Sequence, residues 1–290
     1  MQQTLDVFQF RDELIRGYRD FSTSFTTVKA SDIRLVIDTE YGQLDDETSS
    51  PIGRYWGEPR IQVNPNYLTR ASIEQLVAEQ ILHPLCTQIF RKDGNMLNLY
   101  EHQVNAISQA KEDRSYVVTT GTGSGKSLAF FIPIIDHIIR EKEKNPSPRT
   151  RAIIVYPMNA LANSQMKELA SYLGGGEEGQ RSPDTRLPTF KRYTGQESES
   201  ERDAIANHPP DILLTNYMML EYLMTRHGAN DKKVMDNCHG LEFLVLDELH
   251  TYRGRQGADV ALLVRRLRTR TEATNLICIG TMLMGERTTL

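Results

Sequence analysis

The chain has 290 residues, of which 39% are hydrophobic and 25% charged, and carries a formal net charge of −4. This composition suits one large or two small globular domains and excludes a protein that coats nucleic acid through overall positive charge. No run of about eighteen apolar residues occurs, so no transmembrane helix is expected. The N-terminus, Met1-Gln-Gln-Thr-Leu-Asp-Val-Phe8, lacks the basic flank and apolar core of a signal peptide. Cys86, Cys238 and Cys278 are widely spaced and form no Cys-x-x-Cys pair, so neither a zinc nor an iron–sulfur site is expected. A reducing cytoplasm is the natural compartment, with no membrane partner.

In chain order, Asp6 to Tyr18 places Val7, Phe10, Leu14 and Ile15 at helical spacing. Ile33 to Ile37 reads as a strand or as part of a helix. Gly42 to Pro65 is rich in Gly, Pro and acids and reads as loop; Trp56 within it could pack or stack on a base. Ser72 to Leu82 predicts a helix with Ser72 as its N-cap. From there the pattern alternates. Strands are predicted at Tyr116–Thr119, 152–156, 212–214, 243–246 and 276–279, and helices at 128–139 and 158–173. Pro133 should sit near the end of the first turns of its helix or bend them. Glu141–Thr150 and Gly174–Pro188 read as surface linkers, the latter mobile. Strands alternating with helices imply α/β architecture: a mostly parallel sheet with helices on both faces. Ligands of such sheets sit beyond the carboxyl ends of the strands.

Two motifs occupy such ends. Thr120-Gly-Thr-Gly-Ser-Gly-Lys126-Ser127 follows a strand and opens a helix. Glycines at 121, 123 and 125 permit the tight turns that aim successive N–H groups at a triphosphate. Thr122 and Ser124 lie between them. Thr120 stands where the strict pattern has Gly, but Gly-Lys-Ser is intact. Lys126 would reach the β- and γ-phosphates and Ser127 would ligate Mg²⁺. The helix N-terminus adds its dipole. After the strand 241–246 come Asp247 and Glu248, the first suited to hold Mg²⁺ and the second to orient or deprotonate water. These residues point to an ATP and Mg²⁺ site.

With these motifs in hand, the chain resembles the first RecA-like domain of a superfamily-two DEAD/DEAH-box helicase. Leu99-Tyr-Glu-His-Gln103 is similar to the family's glutamine motif, which implies that Gln103 reads adenine; otherwise it is a polar residue at a helix start. Tyr156-Pro-Met-Asn-Ala-Leu-Ala-Asn-Ser-Gln165, Arg192-Tyr-Thr-Gly195 and Asp211-Ile-Leu-Leu-Thr-Asn216 resemble the nucleic-acid contact segments, implicating Pro157, Asn159, Gly195 and Thr215. Asp247-Glu-Leu-His250 resembles the DEAH-type box, in which His250 couples ATP to nucleic acid. The segment Tyr252-Arg-Gly-Arg-Gln-Gly257 looks like one found in large bacterial defence and repair helicases, which favours DNA over RNA.

The resemblance implies a P-loop domain over 96–290, preceded by a mainly helical accessory region over 1–95. The family's Ser-Ala-Thr motif should follow the last strand, where this chain reads Gly280-Thr-Met-Leu-Met, with Thr281 approximating its approach. No second RecA-like domain follows, so the expectation is a truncated or split motor, paired with another domain or subunit. The alternative is a non-hydrolysing module that binds ATP or a partner. Arg253 and Arg255 face either solvent, or nucleic acid or another domain. Arg265, Arg266, Arg268 and Arg270 read as a wet helix face.

Overall fold

The computed structural model describes residues 6–25, 28–41, 67–92, 94–121, 123–174, 184–226 and 228–283. Trp56 with the rest of the 42–65 loop, Thr122, 175–183 and 284–290 fall outside them. Residues Met1–Asn64 and Pro65–Leu290 form two compact units. The first contains α1 (Val7–Ser24) and α2 (Ser31–Tyr41). Asp6 starts α1 by accepting a hydrogen bond from the Gln9 N–H at 3.2 Å. The segment Ile33–Ile37 is helical, within α2.

The second unit takes in residues 65–95, which the sequence grouped with the N-terminal region. Here β1 (Thr69–Ser72) leads into α3 (Ile73–Ala78), then α4 (Cys86–Ile89) and the short strands β2 (Arg91–Lys92), β3 (Asn95–Met96) and β4 (Asn98–Tyr100). Ser72 caps α3 in a reciprocal box with Gln75. The helix stops four residues before Leu82, where it was expected to end. Gln80 adopts φ 59°, and the N–H groups of Ile81 and Leu82 both return to the Leu76 carbonyl. That turn folds Leu82 back into the core, where it is 1% exposed; its burial outweighs further helical turns.

The remaining elements are α5 (Glu101–Lys111), β5 (Tyr116–Thr120), α6 (Leu128–Lys144), β6 (Ala152–Tyr156), α7 (Asn159–Leu173), β7 (Phe190–Arg192), α8 (Glu199–Asn207), β8 (Ile212–Asn216), α9 (Tyr217–Thr225), α10 (Ala229–Asp236), β9 (Phe243–Leu246), α11 (Arg255–Arg270) and β10 (Ile277–Leu283). Six strands form one parallel sheet in the order β5-β10-β9-β6-β8-β7. Side chains alternate across it, as strand geometry requires. Ile154, Leu214, Val245 and Ile279 join Phe130, Phe131 and Ile135 of α6 and Leu169 of α7 on one face. Ile153, Leu213 and Leu244 join Leu220 of α9 and Leu263 of α11 on the other. Each fully buried Ile, Leu or Phe contributes roughly 1.5–3 kcal/mol, and both faces are covered. Among the described residues no helix is long and apolar enough to cross a membrane.

Pro133 neither ends nor breaks α6, which runs to Lys144. A proline leaves the carbonyl four residues earlier without its helical donor. That carbonyl belongs to Ala129, and the Tyr116 hydroxyl of β5 donates to it at 2.8 Å. The strand before the phosphate loop thus completes the helix after it. At the opposite end of the sheet, buried Asp211 accepts from Arg151 at 2.7 Å and from Lys142 at 2.9 Å. It also accepts from the N–H and hydroxyl of Thr189, so the strand starts are stapled by a charge with several donors.

Candidate ATP-binding and nucleic-acid-contact site

The phosphate loop joins β5 to α6 as expected. Gly123 and Gly125 adopt φ 72° and 66°, which side-chain-bearing residues rarely take. Thr120 occupies the pattern's first glycine position, and its hydroxyl meets the Ser124 hydroxyl at 2.6 Å, closing the loop on itself. Ser124 is 1% exposed. The Lys126 ammonium lies 3.5 Å from the Thr120 carbonyl. Ser127 stands at the N-cap of α6, and its side chain meets Glu168 of α7, whose carboxyl burial pushes up in pKa.

The two acids of the box follow β9 and face this loop. Asp247 anchors its backbone on the Val155 carbonyl at 2.9 Å. Burial raises the pKa of its carboxyl, and the negative charge of Glu248 adds to that; the Thr281 hydroxyl and the charge of Lys126 oppose it. Glu248 adopts φ 51°, a left-handed conformation that turns its side chain sharply off the strand. Its N–H donates to Thr281 Oγ1 at 2.9 Å, and the Thr281 hydroxyl in turn donates to Asp247 Oδ1.

Glu248 Oε2 is buried without a hydrogen-bond donor. His250 Nδ1 lies 3.2 Å from it and 3.4 Å from the Leu283 N–H. The hydroxyl of Ser127 and carboxylate of Asp247 are the hard oxygen donors that Mg²⁺ takes, so the residues present fit Mg²⁺ bound to a triphosphate.

Gln103 lies in the first turn of α5 and is 1% exposed. Its Oε1 accepts the Tyr100 N–H at 2.8 Å and its Nε2 donates to the Gly125 carbonyl at 2.8 Å. Beside it, His102 Nε2 lies 3.1 Å from the Ser124 carbonyl. Tyr67, Tyr100 and His102 form an aromatic cluster with ring centroids 5.4–5.8 Å apart. Tyr67 was not singled out in the sequence, since one tyrosine after a loop gives no signal. It is found only through Gly121, where a Cβ would meet the Tyr67 hydroxyl at 2.8 Å.

The nucleic-acid segments converge at the same sheet edge. Asn159 accepts from Asn216 Nδ2 at 2.7 Å, and Asn216 Oδ1 caps α9 through the Met219 N–H. Gly195 takes φ 90° and its N–H donates to Glu197. Thr215 is fully buried, and its hydroxyl donates to the Tyr193 carbonyl at 2.6 Å. Its side chain is therefore not presented at the surface; the neighbouring Asn216 is. Pro157 follows the end of β6. An open groove runs past Gly195, Arg202, Asn216, Met218, Tyr222 and Arg226. Arg266 pairs with Glu221, and Arg270 with Asp236, so these two basic side chains of α11 are engaged within the unit.

The sheet is RecA-like, with the phosphate loop at the end of β5 and the acidic box at the end of β9, on either side of β10. Residues 100–283 match the DEAD/DEAH box helicase family, and the chain belongs to it. It is similar to Druantia protein DruE of Escherichia coli (strain UMEA 4076-1), with 27% identity over 72% of this chain and 17% of that one. The uncharacterized ATP-dependent helicase YprA of Bacillus subtilis (strain 168) is 33% identical over 59% of this chain and 20% of that one. Among solved structures, the DUF1998 helicase MrfA bound to DNA and AMPPNP superposes with a TM-score of 0.59 at 26% identity. That match covers 77% of this chain and 28% of MrfA. The chain thus spans about a fifth of the length of these curated relatives.

Proposed function

We propose that this chain is the ATP-binding half of a DNA helicase or translocase. The observation that carries the reading is the bonded triad of Asp247, Glu248 and Thr281 at the end of β9, with Lys126 of the phosphate loop near enough for its charge to act on the Asp247 carboxylate. Thr120, Gly121, Gly123, Ser124 and Gly125 would wrap the phosphates; Thr122, of the same loop, lies outside the described residues. Lys126 would neutralise the β- and γ-phosphates, while Ser127 and Asp247 would hold Mg²⁺. When bound, Mg²⁺ supplies charge neutralisation across the phosphates. Glu248 would take a proton from the attacking water at Oε2.

DNA is favoured because MrfA was solved with DNA. Pro157, Asn159, Gly195 and the end of β8 would meet its backbone, chiefly through amides and short polar side chains, which a net charge of −4 permits. A second RecA-like domain, in the same polypeptide or another, would close the cleft and supply an arginine finger, worth roughly 10³–10⁵ in rate. This chain alone should therefore turn over slowly. ATP hydrolysis by the purified chain, with and without single-stranded DNA, tests the reading. Turnover or nucleotide binding should be lost in Lys126→Ala. A wild-type chain that binds no nucleotide refutes the proposal, and stimulation by RNA but not DNA refutes its choice of strand.

A further inference from the structure

Helix α7 brings a third carboxylate to the residues that would hold Mg²⁺. Glu168 lies outside every motif read from the sequence, one turn after Gln165. Its neighbour Leu169 is fully buried on the sheet face that also takes Phe130 and Phe131 of α6. Helices α6 and α7 therefore cover the same face, and half-buried Glu168 meets the side chain of Ser127 at the start of α6. Gln165, three residues earlier and so on the same side of α7, meets that carboxylate as well.

The acidic box approaches the same place from the sheet. In the parallel pair β6–β9, Val155 is level with Leu246, which sets Tyr156 beside Asp247. The Tyr156 side chain is fully buried, and the charges of Asp247 and Glu168 both reach its hydroxyl. Burial raises the pKa of Glu168, and the charge of Asp247 adds to that rise. One carboxylate thus comes from a strand end and the other from a helix flank, and Ser127 lies against the second.

The two carboxylates have different work. Asp247 accepts the Thr281 hydroxyl at Oδ1 and keeps a second oxygen for a cation. A serine hydroxyl has one hydrogen and two lone pairs. To ligate a cation it must present a lone pair and send its hydrogen elsewhere. Ser127 stands at the N-cap of α6 but makes no side-chain capping bond, so its hydroxyl is not spent on the helix. Glu168 is the acceptor beside it.

We propose that Glu168 is a positioning residue for the metal site: it accepts the Ser127 hydrogen and so turns the Ser127 oxygen toward Mg²⁺. This inference rests on the nucleotide- and metal-binding role proposed above. It makes Glu168 matter only when the metal accompanies the nucleotide, and only while the Ser127 hydroxyl is present.

The test is the ATP affinity of the full chain by titration calorimetry, in excess Mg²⁺ and in EDTA, for wild type, Glu168→Gln and Glu168→Met. Glutamine keeps an oxygen that can accept from Ser127; methionine keeps the length and loses the acceptor. In Mg²⁺ the Met variant should bind ATP about tenfold more weakly, the low end for a hydrogen bond to a charged group, and the Gln variant should stay within about threefold of wild type. In EDTA all three should agree. In a Ser127→Ala background the loss from Glu168→Met should vanish. Equal losses in Mg²⁺ and in EDTA would show that Glu168 only packs α7, and would overturn the proposal. Unchanged affinity in Mg²⁺, equal losses in the Gln and Met variants, or a loss that persists without the Ser127 hydroxyl would overturn it too. A wild-type chain that binds no ATP would instead overturn the nucleotide-binding reading, and one whose ATP affinity ignores Mg²⁺ would overturn the metal site.

Discussion

The Thr281 hydroxyl donates to Asp247 Oδ1 while accepting the N–H of Glu248 at 2.9 Å. The two residues belong to neighbouring parallel strands, β10 and the end of β9, and lie 34 positions apart in sequence. One hydroxyl thereby fixes the orientation of the proposed metal-holding carboxylate and the backbone turn of the proposed water-orienting one. The family's Ser-Ala-Thr is absent, but a hydroxyl reaches the box from the strand where that motif was expected.

Replacing Thr281 with Val should keep the buried shape and remove both bonds. A hydrogen bond to a charged group contributes roughly 1.5–3 kcal/mol, so ATP turnover should fall by about 10- to 100-fold. Thr281→Ser should recover most of it. The readout is the turnover number of the chain assembled with whatever second domain makes it active. Turnover in the Val variant within about twofold of wild type would mean that Asp247 is oriented by other contacts.

The Tyr116 hydroxyl compensates for Pro133, and that claim can be isolated. Tyr116→Phe leaves the Ala129 carbonyl without its donor and should cost about 1–3 kcal/mol in denaturant unfolding. In a Pro133→Ala background, the N–H restored at position 133 serves the same carbonyl, and the Tyr116→Phe cost should shrink. Costs that add within about 0.5 kcal/mol would disprove the compensation.

The legible parts of this molecule were those with local pattern. The apolar runs before Thr120 and Asp247 gave their strands, and Gly-Lys-Ser and Asp-Glu gave their sites, because strand and loop chemistry is written in adjacent residues. What escaped depends on contacts across the fold. Leu82 is buried by a turn that only the core can reward. Thr215 and Asn216 are neighbours, and which one faces out is set by the strand register against β6. Gln103 matched a motif, but its partners lie 22 residues away in the phosphate loop. Tyr67 carried no motif at all.

His102 should make stability depend on pH. Burial beside Tyr67 and Tyr100 lowers its folded pKa below the ordinary 6.5. As pH falls through 6.5 the unfolded chain takes up the proton first, so stability is lost on acidification and levels off below the folded pKa. His102→Gln should lose less stability than wild type between pH 8 and pH 5.5. Identical pH dependence of the two unfolding midpoints would show that His102 is not held neutral.

Among the described residues strand β10 is the last in sequence, yet it lies inside the sheet, between β5 and β9. Those two strands carry the phosphate loop and the acidic box, and they do not touch each other. A nascent chain emerging from the ribosome has both motifs long before it has the strand that joins them. Among the described residues β10 is the only strand paired with β5, so until residues 277–283 insert, β5 lacks that neighbour, and long-range parallel pairing of this kind is slow. A chain cut before residue 277 is therefore expected to hold both motifs without the strand that sets them beside each other.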